Sequence, residues 1–192
     1  MNPRHIPNII TACRILLVYP VIQLLLAQRY DWALALFVVA GLSDGLDGFL
    51  AKHFHWQSRL GSYLDPLADK LLLVSCYAVL GWLGQIPVWL VALVVLRDLV
   101  IFSGAVAYYF LMRPFEGHPL LLSKLNTLLQ LLLVFTVLFR LGVAALPAAL
   151  LNGLILLTAL TTLVSGAQYV YIWGNSFWRE SQRLGKRGNS QP

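Results

Sequence analysis

Residues 44–69 read DGLDGFLAKHFHWQSRLGSYLDPLAD, and they join two long apolar runs, at about residues 31–49 and 60–83. Each run has roughly the 20 residues that an α-helix needs to cross a bilayer. Because the link between the runs is short, the two helices are predicted to be antiparallel neighbours. The acidic residues of this stretch lie at the ends of the two helices that face each other across the link.

The composition extends this interpretation to the whole chain. Of 192 residues, 59% are hydrophobic and 11% are charged, whereas an ordinary soluble domain has about 25% charged residues. This balance excludes a soluble enzyme, a disordered chain and a disulfide scaffold. Further apolar runs lie at about residues 8–28, 87–112, 120–141 and 147–173. We expect an all-α, polytopic integral membrane protein, a six-transmembrane-helix bundle in one domain, residues 1–192, with a basic tail at 175–192.

The basic residues predict the orientation of the bundle. The formal net charge is +6, and with the N-terminus in the cytoplasm only Arg29 and Arg140 fall near the outer side. Positive charge concentrates on the cytoplasmic side of membrane proteins. The N-terminus, the C-terminus and the acidic stretch are therefore predicted to be cytoplasmic. The excess charge indicates contact with membrane lipids, and no nucleic acid partner is expected.

Four of the eight carboxylates fall in the quoted stretch: Asp44, Asp47, Asp65 and Asp69. Spacings of three and four place each pair on one helical face, and antiparallel neighbours can bring the two faces together. At a separation of about 5.5 Å, each pair of carboxylates repels by roughly 3 kcal/mol. A helix cap or a proton relay explains one such residue, but not four. Bound cations relieve the repulsion, and oxygen ligands alone suit magnesium, manganese or calcium.

Small residues share the predicted faces with these acids. Gly48, Ala51 and Gly61 would let a bulky ligand approach the helix backbone, and Lys52 adds a cation at the rim. Acids, hard metal ions, a cleft of small residues and a cation together indicate a site for a diphosphate. The acidic set is large enough for two ions.

The residues resemble the signature of a known family. The pattern Asp44-x2-Asp47-Gly48-x2-Ala51-Lys52-x8-Gly61-x3-Asp65-x3-Asp69 resembles that of the CDP-alcohol phosphatidyltransferases. The opening Ile6-Pro7-Asn8-Ile9-Ile10-Thr11-x2-Arg14 is similar to the start of these enzymes, so the resemblance extends over essentially the whole chain. One position departs from the pattern: the family usually has Arg where this chain has Lys52, which keeps the charge but loses the bidentate fork.

The resemblance implies an enzyme that transfers the phosphatidyl group of CDP-diacylglycerol to an alcohol and releases CMP. It implies two Mg²⁺ or Mn²⁺ ions held by Asp44, Asp47, Asp65 and Asp69. Asp69 is also implied as the general base, and hence the catalytic residue. Gly48, Ala51 and Gly61 are implied to border the CDP moiety, and Lys52 to contact its phosphate.

The acceptor is the open part of this prediction. Arg97 and Lys124 lie on predicted membrane helices, where a cation is costly without a partner. They are candidate acceptor-binding residues, although Arg97 with Asp98 also fits a structural pair and Lys124 an interface anchor. The pattern Leu64-Asp65-Pro66-Leu67-Ala68-Asp69-Lys70 resembles the branch that makes glycerol-based anionic lipids. Chain length favours glycerol 3-phosphate slightly as the acceptor. Residues 123–130 and Arg97-Asp98 favour the alternative, a CMP-forming cardiolipin synthase that uses phosphatidylglycerol.

Two other expectations complete the analysis. An alternative from a different class is a divalent cation transporter, but its acids should be spread through the bilayer depth, whereas these cluster at one side. The resemblance also implies an integral protein of a bacterial inner membrane, and a homodimer is one expected state because members of the family often form dimers.

Overall fold

The computed structural model describes the backbone of residues 6–53, 59–111 and 121–188, and the side chains of residues 10–46, 67–104 and 121–172. Within these ranges the chain forms six α-helices and no strand. The helices are α1 (Ile6–Leu26), α2 (Tyr30–His53), α3 (Arg59–Trp82), α4 (Val88–Leu111), α5 (Leu121–Gly142) and α6 (Ala148–Gly188). The all-α prediction is therefore confirmed for the described part of the chain.

Most helix ends lie within two residues of the ends of the apolar runs, and two helices are longer than predicted. Helix α2 continues from residue 49 to His53, and α6 continues from residue 173 to Gly188. An apolar run marks the part of a helix that can lie in lipid, and the helix itself continues where strong helix formers follow. The sequence after residue 173 supplies such residues, for example Arg179, Glu180 and Gln182. Most of the predicted basic tail is thus helical.

Two tight turns set the order of the first four helices. Residues 27–29 join α1 to α2, and residues 83–87 join α3 to α4. Gly84 has a φ of 70° and follows the last turn of α3, which is the usual place for a left-handed glycine that ends a helix. The amide of Gln85 then donates to the carbonyl of Leu80 at 2.8 Å. Turns this short make α1 antiparallel to α2 and α3 antiparallel to α4.

The packing of the helices decides where the polar residues meet. Helix α1 packs against both α2 and α3, α5 packs against α2 and α6, and α4 packs against α3 and α6. The core between them is apolar and includes the fully buried side chains of Leu25, Leu80, Leu90, Leu133 and Leu138. Because α1 contacts both α2 and α3, a side chain of α1 can reach residues of both helices at once.

The outer surface suits a lipid environment. Among the described residues, two helical segments are long and apolar enough to cross a membrane: Leu121–Gly142, and Ala148–Ile172 within α6. Large apolar side chains such as Leu16, Trp82 and Leu121 are exposed, which water disfavours and lipid does not. These features indicate association with a membrane. The bundle of six spans remains a prediction.

Candidate active site

A buried arginine joins two of the predicted site acids. Arg14 of α1 is 1% exposed, and its Nη1 lies 2.7 Å from Oδ1 of Asp44 and 2.6 Å from Oδ1 of Asp69. Since both oxygens contact one nitrogen at these distances, they are at most 5.3 Å apart. Asp44 belongs to α2 and Asp69 to α3, so one guanidinium connects three helices.

The two carboxylates are only partly covered by this contact. The side chain of Asp44 is 42% exposed and that of Asp69 is 46% exposed. One positive charge faces two negative charges, so the group of Arg14, Asp44 and Asp69 has a net charge of −1 when all three are ionised. A carboxylate has about four acceptor positions, so both acids retain oxygen lone pairs for a further cation or for a hydrogen-bond donor.

A cavity of about 380 Å³ opens beside this group. Its polar wall includes Arg14, Asp44, Asp69, Lys70 and Thr127. The remainder of its lining is apolar and comes from α2, α3 and α5: Phe37, Val38, Ala40, Gly41, Leu42, Leu72, Leu73, Leu128, Leu131, Leu132 and Phe135. A site with an anionic end and an apolar wall can hold an amphiphile whose polar part reaches the acids.

The structure therefore brings Asp44 and Asp69 together. The other predicted members of the diphosphate site lie in the same two helices: Asp47, Gly48, Ala51 and Lys52 in α2, and Gly61 and Asp65 in α3. Their side chains are outside the described residues. Within the described residues, no group of three or more His, Cys, Asp or Glu side chains could hold a metal ion. The four-ligand site remains a prediction.

The described part of the site is compatible with a hard divalent ion. Asp44 and Asp69 offer only oxygen donors, which magnesium and manganese prefer. Their Oδ1 atoms are at most 5.3 Å apart, and both acids line one cavity. The net negative charge of their group with Arg14 also favours a cation.

A second ionic cluster connects α3, α4, α5 and α6. The Nη1 of Arg97 donates to Oδ1 of Asp98 at 2.8 Å, and its Nη2 donates to the hydroxyls of Ser123 at 2.6 Å and Ser165 at 2.8 Å. The other carboxylate oxygen of Asp98 accepts a hydrogen bond from Nζ of Lys70 at 2.6 Å. The guanidinium of Arg97 also lies 5.9 Å from the centre of the Tyr169 ring.

The two predicted acceptor residues occupy different environments. The side chain of Arg97 is 5% exposed and is not among the described residues that line the cavity. Lys124, on the first turns of α5, is exposed. The pairing of Arg97 with Asp98 is the structural pair that the sequence left open, and its contacts with Ser123 and Ser165 add two further helices to that pair.

Two residues of the cavity wall gain a role that sequence reasoning did not assign to them. Arg14 fits an interface anchor as well as a phosphate contact by sequence, and Lys70 counts only as one more cytoplasmic charge. A signal for Arg14 existed, because an arginine within an apolar helix needs a partner and the site acids were unpaired. Lys70 directly follows Asp69 but points to a different partner, which no sequence signal indicated.

Comparisons with known proteins agree with this site. A family model described as CDP-alcohol phosphatidyltransferase matches residues 4–165. The chain is 37% identical to a CMP-forming cardiolipin synthase of Rattus norvegicus over 149 residues, which is 69% of this chain and 49% of the relative. It is 34% identical to a probable cardiolipin synthase of Drosophila melanogaster over 195 residues, which is 92% of this chain and 60% of the relative.

A bacterial relative has a different printed activity. The chain is 28% identical over 113 residues to a CDP-diacylglycerol–glycerol-3-phosphate 3-phosphatidyltransferase of Bacillus subtilis, which is 50% of this chain and 58% of the relative. The chain spans about half the length of the curated relatives it matches. Proteins of the matched family generally depend on divalent metal ions. Since the family model matches 162 of the 192 residues, this chain belongs to the CDP-alcohol phosphatidyltransferase family.

Proposed function

We propose that this protein transfers the phosphatidyl group of CDP-diacylglycerol to a glycerol-type alcohol and releases CMP. The observation that carries the proposal is the pair Asp44 and Asp69, which lie on one arginine at the polar end of a cavity with an apolar wall. A lipid nucleotide has the matching division into a charged diphosphate and acyl chains. Membership of the family supplies the reaction class and favours an enzyme over a cation transporter.

In this proposal Asp44, Asp47, Asp65 and Asp69 hold two Mg²⁺ or Mn²⁺ ions. When bound, such ions neutralise the diphosphate and stabilise the negative charge that develops on the departing CMP. Gly48, Ala51 and Gly61 border the CDP moiety, and Lys52 contacts its phosphate. The ammonium of Lys52 acts as a point charge and does not provide the two-pronged contact that an arginine gives.

The reaction exchanges one bond at phosphorus for another. The hydroxyl oxygen of the acceptor forms a bond to the phosphorus of the phosphatidyl group, and the bond from that phosphorus to the oxygen of CMP breaks. Asp69 accepts the hydroxyl proton, which is a contribution of typically about 10² to 10⁴ in rate. Arg14 holds Asp69 and Asp44 at their positions on the cavity wall.

We infer that phosphatidylglycerol is the favoured acceptor, which makes the product cardiolipin. The two compared relatives named as cardiolipin synthases are 37% and 34% identical, and they align with 69% and 92% of this chain. The relative that uses glycerol 3-phosphate is 28% identical and aligns with 50% of it. This difference outweighs the preference from chain length. Glycerol 3-phosphate remains the second candidate because that relative is named for it.

The proposed enzyme is a single domain over residues 1–192, with its active site at the cytoplasmic face of a bacterial inner membrane. Six spans place the acids of α2 and α3, and Arg14 of α1, at one side of the bilayer. A homodimer is the proposed assembly, as expected from the family resemblance. The surrounding membrane lipids and CDP-diacylglycerol are the remaining partners in this proposal.

An acceptor screen tests the proposal. The full chain, purified in detergent, is given CDP-diacylglycerol with phosphatidylglycerol, glycerol 3-phosphate, inositol phosphate or serine, and CMP and lipid products are measured by mass. We expect CMP release with a glycerol-type acceptor that requires Mg²⁺ or Mn²⁺ and stops on chelation with EDTA.

The matched variants are Asp44→Asn, which should remove activity, and Asp31→Asn, an exposed acid near the start of α2, which should not. Absence of CMP with every glycerol-type acceptor, from protein that elutes as one folded species, would contradict the proposed reaction.

A further inference from the structure

The cavity has a positively charged group next to its negatively charged group. Lys70 lines the cavity and its side chain is 37% exposed, while its Nζ lies 2.6 Å from Oδ2 of Asp98. Oδ1 of the same carboxylate lies 2.8 Å from Nη1 of Arg97. One carboxylate is therefore shared by two cations.

The charges of these two groups differ in sign. Lys70, Asp98 and Arg97 carry a net charge of +1 together, whereas the group of Arg14 with its two acids carries −1. Lys70 and Asp69 are consecutive residues of α3, so the two groups are neighbours along one helix with a rise of about 1.5 Å per residue. The cavity wall thus offers a place for a cation beside a place for an anion.

The two cations of the positive group are not equally available to a ligand. Arg97 is buried, and both of its terminal nitrogens donate to protein groups, Asp98, Ser123 and Ser165. Lys70 faces the cavity, and an ammonium has three donor hydrogens, of which the bond to Asp98 uses one. Lys70 is therefore the member of this group that can donate to a ligand in the cavity.

We propose that Lys70 binds the phosphate of the acceptor alcohol and so selects glycerol acceptors that carry a phosphate over neutral alcohols. The inference rests on the proposed transferase function. An acceptor whose hydroxyl reaches Asp69 would have its phosphate beside Lys70, the next residue of α3. Asp98 holds the ammonium at the cavity wall, and Arg97 keeps Asp98 ionised and in place from behind. Arg97 is then a positioning residue, and Lys70 contacts the substrate.

The phosphate has two possible sources with the same chemistry. Phosphatidylglycerol carries a phosphodiester and glycerol 3-phosphate a phosphomonoester, and both would accept hydrogen bonds from Lys70. The acceptor that supports turnover of the wild-type protein identifies the source. A monoacylglycerol offers the same type of hydroxyl without a phosphate and serves as the neutral comparison.

The test separates acceptor binding from donor binding. Lys70→Gln should raise the KM for the phosphate-bearing acceptor by about 10- to 100-fold, the loss of a charge-assisted hydrogen bond, and leave the KM for CDP-diacylglycerol within about twofold. Lys70→Arg keeps the charge and should restore the acceptor KM to within about fivefold of wild type. Arg29→Gln removes an exposed cation in the turn between α1 and α2 and should change neither constant.

A second measurement needs no variant. The wild-type protein is treated with acetic anhydride, and acetylation of Lys70 is quantified by mass spectrometry. The phosphate-bearing acceptor should protect Lys70, and monoacylglycerol should not.

The outcomes distinguish the two proposals. Wild-type turnover with an unchanged acceptor KM in Lys70→Gln, or equal acetylation with and without acceptor, would overturn the assignment of Lys70 and leave the transferase intact. A wild-type protein that releases no CMP would overturn the proposed function and this inference with it.

Discussion

At the scale of single residues, Arg14 has the largest structural consequence in the described part of the chain. A buried arginine in an apolar helix is costly unless its charge is compensated. Here two carboxylates from different helices compensate it, so the same contact satisfies the arginine and fixes the separation of Asp44 and Asp69. The position of two proposed metal ligands therefore depends on a residue that ligates nothing.

Replacing Arg14 should affect both stability and turnover. Loss of one partner of a buried ion pair costs about 3–5 kcal/mol, but both acids here are nearly half exposed and water can solvate them. We therefore expect Arg14→Gln to lower the free energy of unfolding by about 1–3 kcal/mol and kcat by at least about tenfold. Arg14→Lys should be intermediate in both. Thermal unfolding in detergent and CMP release measure the two effects.

The control for Arg14 is Arg29→Gln, in the turn that follows the same helix. Arg29 and Asp31 are both exposed and 3.9 Å apart, and exposed pairs contribute about 0–1 kcal/mol. If Arg14→Gln behaved like Arg29→Gln in both measurements, Arg14 would have no part in positioning the acids.

The proposed role of Asp69 is testable by removing its charge with little change of shape. Asp69→Asn should reduce the rate of CMP release by about 10² to 10⁴, because an amide cannot accept the hydroxyl proton. Binding of CDP-diacylglycerol, followed by equilibrium dialysis, should persist because three proposed ligands remain. Turnover equal to wild type would remove Asp69 from the mechanism, and Asp31→Asn provides the matched control.

At the scale of helices, polar contacts rather than apolar area specify the neighbours. Arg97 of α4 bonds to Ser123 of α5 and Ser165 of α6. The side-chain carbonyl of Asn126 accepts hydrogen bonds from Thr161 at 2.9 Å and Thr162 at 2.8 Å, which joins α5 to α6 again. Within lipid, apolar surface does not distinguish a helix from its solvent, so such interhelical hydrogen bonds and close packing select the partners.

Close packing is testable at the end of α5. A Cβ on Gly142 would lie 2.5 Å from the backbone nitrogen of Asp31 and 2.7 Å from the carbonyl carbon of Tyr30, and backbone atoms cannot move aside easily. We expect Gly142→Ala to destabilise the protein by about 1–3 kcal/mol, the usual cost of overpacking, measured by thermal unfolding in detergent.

Gly153→Ala is the matched control in α6, because a Cβ there would meet nothing within 4 Å. This substitution should change stability by less than about 1 kcal/mol, and in the favourable direction, since alanine is the better helix former. Equal effects of the two substitutions would show that α5 does not approach the start of α2 as closely as described.

At the scale of the whole molecule, the distribution of charge and the count of helices predict one arrangement in the membrane. The structure has six helices in its described residues, and an even number of spans returns the chain to the side on which it began. The basic residues place that side in the cytoplasm. The proposed site acids and both chain ends then share the compartment in which CMP is released.

Reporter fusions test this topology. A fluorescent protein that folds only in the cytoplasm should be active when fused to either terminus of the chain. A fusion within residues 143–147, the connection between α5 and α6, should be inactive there and active with a periplasmic reporter. Termini on opposite sides would contradict six spans, and both termini outside would contradict the orientation.

The sequence by itself determined the class of fold and most helix boundaries. A chain with 59% hydrophobic and 11% charged residues can only satisfy its backbone in lipid by forming helices or a closed barrel, and runs of about 20 residues select helices. The acids were also evident, since a carboxylate within an apolar run stands out whatever its surroundings. Spacings of three and four residues then indicated their shared faces.

The tertiary structure alone decided which charges meet. Arg14 is 30 residues from Asp44 and 55 from Asp69, and Lys70 is 28 residues from Asp98. Helical periodicity reports which side chains share a face of one helix, but it does not report which helices lie against each other. That choice follows from the summed packing of six helices, so the net negative and net positive groups of the cavity emerge only when α1, α3 and α4 are in place.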